Sequence, residues 1–249
     1  MGQVVPDMMV GDLKGGANHV HIAGPRDGGT YIHYEWPAGG TGATDGLDGN
    51  DAVRSYNEGD FNSIQSVETV ESQYPLRIER CEIREGSCCD GRFRGGFGLR
   101  RDVRILGETA MLSVLSEKNV IPPYGVAGGA NGAANRFVVV RDGKTVQPSD
   151  VPGKVSGFAL RHGDIVREET AGGGGYGDAL ARDSARVADD VRQGYLTRAQ
   201  AKKRYGVVLR GRGRVDGDAT VAERTALAAA RVRAAVQVAN EDDYDGPRR

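Results

Sequence analysis

His19 and His21 flank Val20 in a short apolar piece that runs to Ala23, and strand alternation puts both imidazoles on one face. A His-x-His pair can hold zinc, copper or iron, with His33 as a conceivable third ligand. No carboxylate follows at a recognisable spacing, so half-exposed strand histidines without a metal are the alternative. Asp45, Asp48 and Asp51, interleaved with glycines, faintly follow a calcium loop. The twelfth position counted from Asp45 is Tyr56 rather than a glutamate, so an ordered loop is expected. Cys81, Cys88 and Cys89 are an odd number of thiols, and the adjacent pair suits neither a disulfide framework nor a CxxC zinc knuckle. Reduced cysteines in a cytoplasmic protein are expected.

Main-chain chemistry is the other possibility. The stretch from Glu168 to Asp178 contains Gly172, Gly173, Gly174 and Gly175 in succession. Without side chains, their backbone can take positive φ and lie directly against other groups. Such a run, between a strand and a helix opened by Asp183, can offer N–H groups to an anion or a partner chain. A tight turn packed on other backbone is the alternative, and no Gly-Lys-Ser/Thr follows, which excludes a Walker A loop. A second such loop spans Pro37–Ala43 and a third Ile121–Gly132. Loops on a rigid sheet carry function most often. Gly39, Gly40, Thr41 and Gly42, with Gly172–Gly175, are therefore the expected lining of any reaction chamber, acting through N–H groups. His19 and His21 are the candidate metal contacts, and no catalytic side chain is identifiable. Arg92-Phe-Arg-Gly-Gly-Phe-Gly98 mixes residues that bind single-stranded RNA. Glu79, Glu82, Glu85, Asp90 and Asp102 surround it, so no nucleic-acid partner is expected.

The elements that must position these groups are mostly strands. The chain has 249 residues, 38 of them glycine, with 39% hydrophobic and 6% aromatic content, which suits turn-rich β structure whose apolar surface another subunit completes. A net charge of -1 gives no attraction for nucleic acid or an anionic membrane. The N-terminus lacks a signal-peptide pattern, so a soluble, cytoplasmic protein is expected. Strands are expected at Thr30–Trp36, Leu76–Arg84 (half-buried by strict alternation), Leu99–Leu106 and Ala110–Ser116. Asp142-Gly143 predicts a hairpin joining Phe137–Arg141 to Thr145-Val146, and Gly163-Asp164 predicts a turn between two further strands. Helices are expected over Ser63–Ser72, after Asp183, from the capping box Thr197-x-x-Gln200 to Gly206, and from Thr220-x-x-Glu223 to about Ala239. The fold class is α+β: a β-rich, glycine-rich domain over residues 1–180, a helical closing segment of that domain over 181–209, and a connector, alanine-rich helix and frayed tail over 210–249.

Residues 31–209 resemble the C-terminal half of the hydantoinase B/oxoprolinase family. The matching pieces are Ala38-Gly-Gly-Thr-Gly-Ala43 with Asp48-Gly49, Tyr74–Arg80, Gly91–Leu99, Pro122–Gly129, the glycine run through Asp178, and Asp190–Gly194 with Tyr205–Leu209. The resemblance implies a subunit of an ATP-dependent hydrolase of cyclic amides (hydantoins, oxoproline, lactams) or, alternatively, of an ATP-dependent ketone carboxylase like those for acetone and acetophenone. It implies ATP and Mg in a hydantoinase-A-like partner, a divalent metal held outside this chain, and a separate polypeptide supplying the N-terminal half. A structural or RNA-binding module built on Arg92–Gly98 is the non-enzyme alternative.

Overall fold

The computed structural model describes residues 4–5, 8–54 and 64–242, with side chains as far as Ala234. It divides into two compact units, Met1–Asp178 and Ala179–Arg249.

The first unit is built from strands β1 (His19–Arg26), β2 (Gly29–Glu35), β3 (Leu76–Ile83), β4 (Leu99–Ile105), β5 (Thr109–Leu115), β6 (Arg136–Arg141), β7 (Lys144–Val146), β8 (Lys154–Arg161) and β9 (Ile165–Glu169), with one short helix, α1 (Val67–Gln73). They form a four-stranded sheet ordered β2-β1-β5-β8 and a five-stranded sheet ordered β3-β4-β9-β6-β7. All pairings within these two sheets are antiparallel. Alternation gives each sheet one apolar face, and the two faces make a single core. Val20, Ile22, Leu112 and Val114 of one sheet join Val103, Ile105, Val139 and Val166 of the other, with Val70 of α1 at the side.

Two expectations need correcting here, on β3 and on the first helix, whereas the turn expected at Gly163-Asp164 forms. It joins strands of different sheets: β8 pairs with β5, whereas β9 pairs with β4 and β6. The chain changes sheet at this turn, as it does between β4 and β5, and the two crossovers brace each other through Gly163 N–H to Ile105 O (2.9 Å) and His162 N–H to Glu108 O (3.0 Å). β3 is an edge strand with a register shift between Ile78 and Arg80, so its strict alternation yields only one fully buried residue, Leu76. The first helix starts later than expected: Ser66 caps α1 by accepting from Thr69 N–H, Ile64 precedes it, and Ser63 lies outside the described residues. The Asp142-Gly143 hairpin does form. Its two turn residues have φ of 51° and 73°, as a two-residue turn with left-handed geometry demands.

The second unit contains a 3-10 turn (Ala179–Ala181), α2 (Ser184–Arg192), α3 (Arg198–Tyr205), the two-stranded ribbon β10 (Leu209–Arg210) and β11 (Arg214–Val215), and α4 (Gly217–Asp242). Asp183 caps α2, and Thr197 with Gln200 forms a complete capping box on α3, which ends at Gly206 with φ of 64°. Val187, Leu196, Ala201, Tyr205 and Val207 make its small core. The Arg210–Arg214 connector is thus part of a ribbon. Thr220 does not cap α4; Asp216 accepts from Ala219 N–H (3.3 Å), while the Thr220 hydroxyl accepts from Val208 N–H (3.1 Å). Asn240 belongs to α4, and residues 243–249 lie outside the described part. The α+β class therefore holds, with most helix in the C-terminal unit. Among the described residues no helix is long and apolar enough to cross a membrane.

Candidate functional site

At the end of β9 the chain leaves the sheet and enters the glycine run, which becomes the hub of the surrounding loops. Each glycine of the run is buried and abuts backbone of one of three connections, β2–α1, β3–β4 or β5–β6. A Cβ added at Gly172 would stand 2.0 Å from Ser87 O, at Gly173 1.8 Å from Thr41 O, at Gly174 1.8 Å from Tyr124 O, and at Gly175 2.4 Å from Asp90 O. These distances leave no room for any side chain, which is why four glycines stand together. The structure thus brings Gly39–Gly42 and Gly172–Gly175 side by side. Ala43 N–H donates to Gly174 O (2.9 Å) and Gly40 N–H to Ala171 O (3.0 Å).

Six N–H groups of the hub point inward to main-chain carbonyls. Those of Gly173, Gly174 and Gly175 donate to the carbonyls of Gly96, Asp12 and Ala130, at 2.7–3.0 Å. Those of Gly39, Gly40 and Thr41 donate to Val53, Ala171 and Asn50. A buried donor already bonded to a carbonyl offers little to an anion. Chemically, the hub fixes the position of its loops.

Side chains complete this frame at a few points that sequence reasoning missed. The Asn135 carboxamide accepts from Ala171 N–H (2.6 Å) and donates to Lys14 O and Glu117 O (2.7 Å each). Thr170 Oγ1 donates to Ala38 O (2.6 Å) and accepts from Leu99 N–H (2.7 Å). Asp51 holds Arg94 bidentately (2.7 and 3.1 Å) and also accepts from Phe97 N–H (2.9 Å), and Asp48 accepts from Arg94 N–H (2.9 Å). Two of the three aspartates of the calcium-like loop therefore serve Arg94. Arg94 and Phe97 are buried, one over the other, so this part of the RNA-like stretch does not present itself to bases. Cys89 donates to Gly173 O, and burial pushes its thiol up to about 12, which removes it as a nucleophile.

The histidines separate. His19 and His21 lie on the outer face of the four-stranded sheet against Tyr34, with ring centroids 5.8 and 4.3 Å away. His19 Nδ1 accepts from Trp36 Nε1 (2.9 Å) and also meets the Tyr34 hydroxyl. Desolvation and the neighbouring His19 lower the pKa of His21. His33 is a pleat out of phase and wholly buried, so it cannot be their third ligand. Among the described residues no group of three or more His, Cys, Asp or Glu could hold a metal ion.

His33 belongs instead to a sealed ionic cluster between the sheets. Arg101 Nη1 meets Glu35 Oε1 at 2.8 Å, both side chains being wholly buried, and Glu35 Oε2 lies 3.5 Å from His33 Nε2. Glu168, opposite Arg101 across the β4–β9 pair, has neither carboxylate oxygen hydrogen-bonded. Desolvation, and then the Glu35 charge, raise its pKa well above the usual carboxylate value against the pull of Arg101. A charge at an inward register position, beside Val103 and Val166, was the signal available for this cluster in the sequence.

The Hydantoinase B/oxoprolinase family matches residues 1–179, so the likeness begins before Tyr31. A B-type component of a putative D-/L-hydantoinase from Pseudomonas sp. (strain NS671) is 29% identical over 88% of this chain and 36% of its own length. An uncharacterized protein of Methanocaldococcus jannaschii is 35% identical over 82% of this chain and 34% of its own. The chain thus spans about a third of the length of these two relatives. The crystal structure of the ATP-dependent caprolactamase from Pseudomonas jessenii superposes with a TM-score of 0.70 at 27% identity, covering 90% of this chain and 40% of that one. Acetone carboxylase, also at 0.70 but 23% identical, covers 89% of this chain and 34% of its own and shares the fold. With the family pattern extending from Met1 through the glycine hub to Ala179, the chain belongs to the hydantoinase B/oxoprolinase family.

Proposed function

We propose that the chain works as part of a hetero-oligomeric, ATP-dependent enzyme that opens cyclic amides. The observation that carries this reading is the joint likeness to caprolactamase, 33% identity over 174 residues of its β polypeptide together with the superposition of the two-sheet unit. Opening an unactivated ring amide is slow because its carbonyl is resonance-stabilised, and phosphorylating the carbonyl oxygen turns it into a leaving group. In this reading a hydantoinase-A-like partner supplies ATP with Mg and the phosphoryl transfer. A further polypeptide supplies the part of the longer relatives that has no counterpart here. Any divalent metal of the complex sits outside this chain.

The glycine hub then serves the reaction by rigidity: the loops at Gly39–Gly42 and Gly172–Gly175 hold the chamber wall in place rather than bind substrate themselves. Ile32, Met111 and Leu115, 64%, 56% and 54% exposed on the outer face of the four-stranded sheet, support a role as one polypeptide among several. Ketone carboxylation stands as the alternative on the fold alone. The test is ATP hydrolysis by the reconstituted complex. A cyclic amide such as hydantoin or caprolactam should stimulate phosphate release at least about tenfold; stimulation only by a ketone with bicarbonate would reverse the assignment.

A further inference from the structure

Two cavities, each of about 530 Å³, adjoin at the start of β6. Arg84, Asn135, Arg136, Gln147, Ser149 and Asp150 are among the lining of the first. Arg80, Arg84, Arg100 and Arg136, with Glu82, Glu85 and Glu169, line the second. Arg84 and Arg136 are common to both.

The arginines are not equivalent. Arg80 meets Glu82 (3.2 Å), Arg100 meets Asp102 (2.9 Å) and Arg136 meets Glu169 (2.7 Å). Arg84, among the described residues, meets no carboxylate within 4.0 Å. It is held by main-chain carbonyls instead, those of Ala134 (2.7 Å), Thr170 (2.9 Å) and Glu169 (3.2 Å), and every one of these bonds leaves from Nη1. The Nε–Nη2 edge of the fork is left for something else. Desolvation lowers the Arg84 pKa first of all; the Glu169 charge opposes this, while the Arg136 charge lowers it further. Two like charges share one wall, and one of them has no carboxylate in direct contact.

We propose that this shared wall is a binding site for a small oxyanion, a carboxylate or a phosphate, taken up by the Nε–Nη2 edge of Arg84 and by Arg136. A planar guanidinium edge matches two oxygens of one ligand bidentately. Arg136, whose side chain is 44% exposed, can reach the ligand with the donors that its Nη1 pair with Glu169 leaves over. The anion enters through the first cavity, whose lining holds one carboxylate, Asp150, against three in the second. This site does not depend on the reaction proposed above, since binding is measurable on the chain alone.

The experiment is a titration of the chain with sodium acetate and, separately, with inorganic phosphate, at pH 7 and constant ionic strength, read by backbone amide NMR shifts. Saturable shifts confined to Ile83–Glu85, Ala134–Phe137 and Gln147–Gly153 are expected with at least one anion. Acetate alone would mark the site as one for carboxylates and phosphate alone as one for phosphates. Arg136→Gln should weaken binding about tenfold, the loss of one charge-assisted contact. Because Arg84 also clamps three carbonyls, its variant is Arg84→Lys, which keeps the charge but loses the fork and should weaken acetate binding further than it changes the amide spectrum. Absence of saturation with both anions, or equal affinity in wild type and Arg136→Gln, overturns the proposal.

Discussion

The sandwich core and the glycine hub meet at Thr170-Ala171 and are held together by opposite means. In the core, side chains such as Leu112, Val139 and Val166 interdigitate between two sheets, and burial of apolar area provides the stabilisation. In the hub, backbone lies on backbone, and the groups that meet are carbonyls, N–H groups and α-carbons. The hub is just as buried, with almost no side-chain volume. This accounts for a composition of 38 glycines and only 39% hydrophobic residues. It also means that the two regions should fail differently. A core can lose volume and partly relax, whereas contacting backbone segments cannot take in a methyl group without moving apart.

The largest effect is therefore expected at the centre of the hub. Gly173→Ala would place its Cβ 1.8 Å from Thr41 O and 2.7 Å from Gly42 N, backbone on both counts. The expected outcome is a loss above about 4 kcal/mol, or failure to accumulate as folded protein, measured by urea unfolding. Gly107→Ala is the control: its nearest neighbour would be 3.7 Å away, and its stability should change by less than about 0.5 kcal/mol. A Gly173→Ala protein with a wild-type midpoint would break the comparison. Leu112→Ala comes second. It removes a wholly buried side chain between the sheets and should cost about 2–5 kcal/mol, yet leave a folded protein with an unchanged hub.

How far each region could be read in advance follows from the same contrast. Strands with side-chain alternation were legible, β4 and β5 nearly to the residue, as were the Asp142-Gly143 turn and the caps at Asp183 and Thr197, because local chemistry decides them. Sheet membership was not. Alternation says which face of β8 and β9 is apolar, but not that the two strands belong to different sheets. Nor did it relate the phase of His33 on β2 to that of His19 and His21 on β1, which depends on hairpin register. The glycine run could be recognised as a place of close approach, but glycine has no periodicity or polarity to name its partners. Thr41, Tyr124 and the pair Ser87 and Asp90 come from three separate connections and are joined only by the fold.

The smallest expected effect lies within the side-chain-held region and sharpens what held by side chains means there. Glu168 and Asp102 are carboxylates on the two faces of one sheet, and their titrations are displaced in opposite directions. For Asp102, desolvation would raise the pKa, but hydrogen bonds and charges from Arg167 and Arg100 outweigh it and hold the carboxyl below its usual range. Its folded pKa is depressed, so its contribution is present above the unfolded pKa and is lost as pH falls through the folded one. Glu168 is the reverse: burial and the Glu35 charge raise its folded pKa, so the folded chain binds the proton more tightly, and stability declines as pH rises from the unfolded pKa toward the folded one. Asp102→Asn should therefore cost about 1–3 kcal/mol at pH 7 and progressively less in acid. Glu168→Gln, nearly the same shape without the charge, should gain about 0.5–2 kcal/mol at pH 7 and flatten the decline above the carboxylate range. Urea midpoints for both variants and wild type from pH 4 to pH 8 check the pair. A Glu168→Gln chain that is less stable than wild type at pH 7 would mean that the ionised carboxylate is needed by Arg101 and that the cluster is a matched triad rather than a pair with one charge too many.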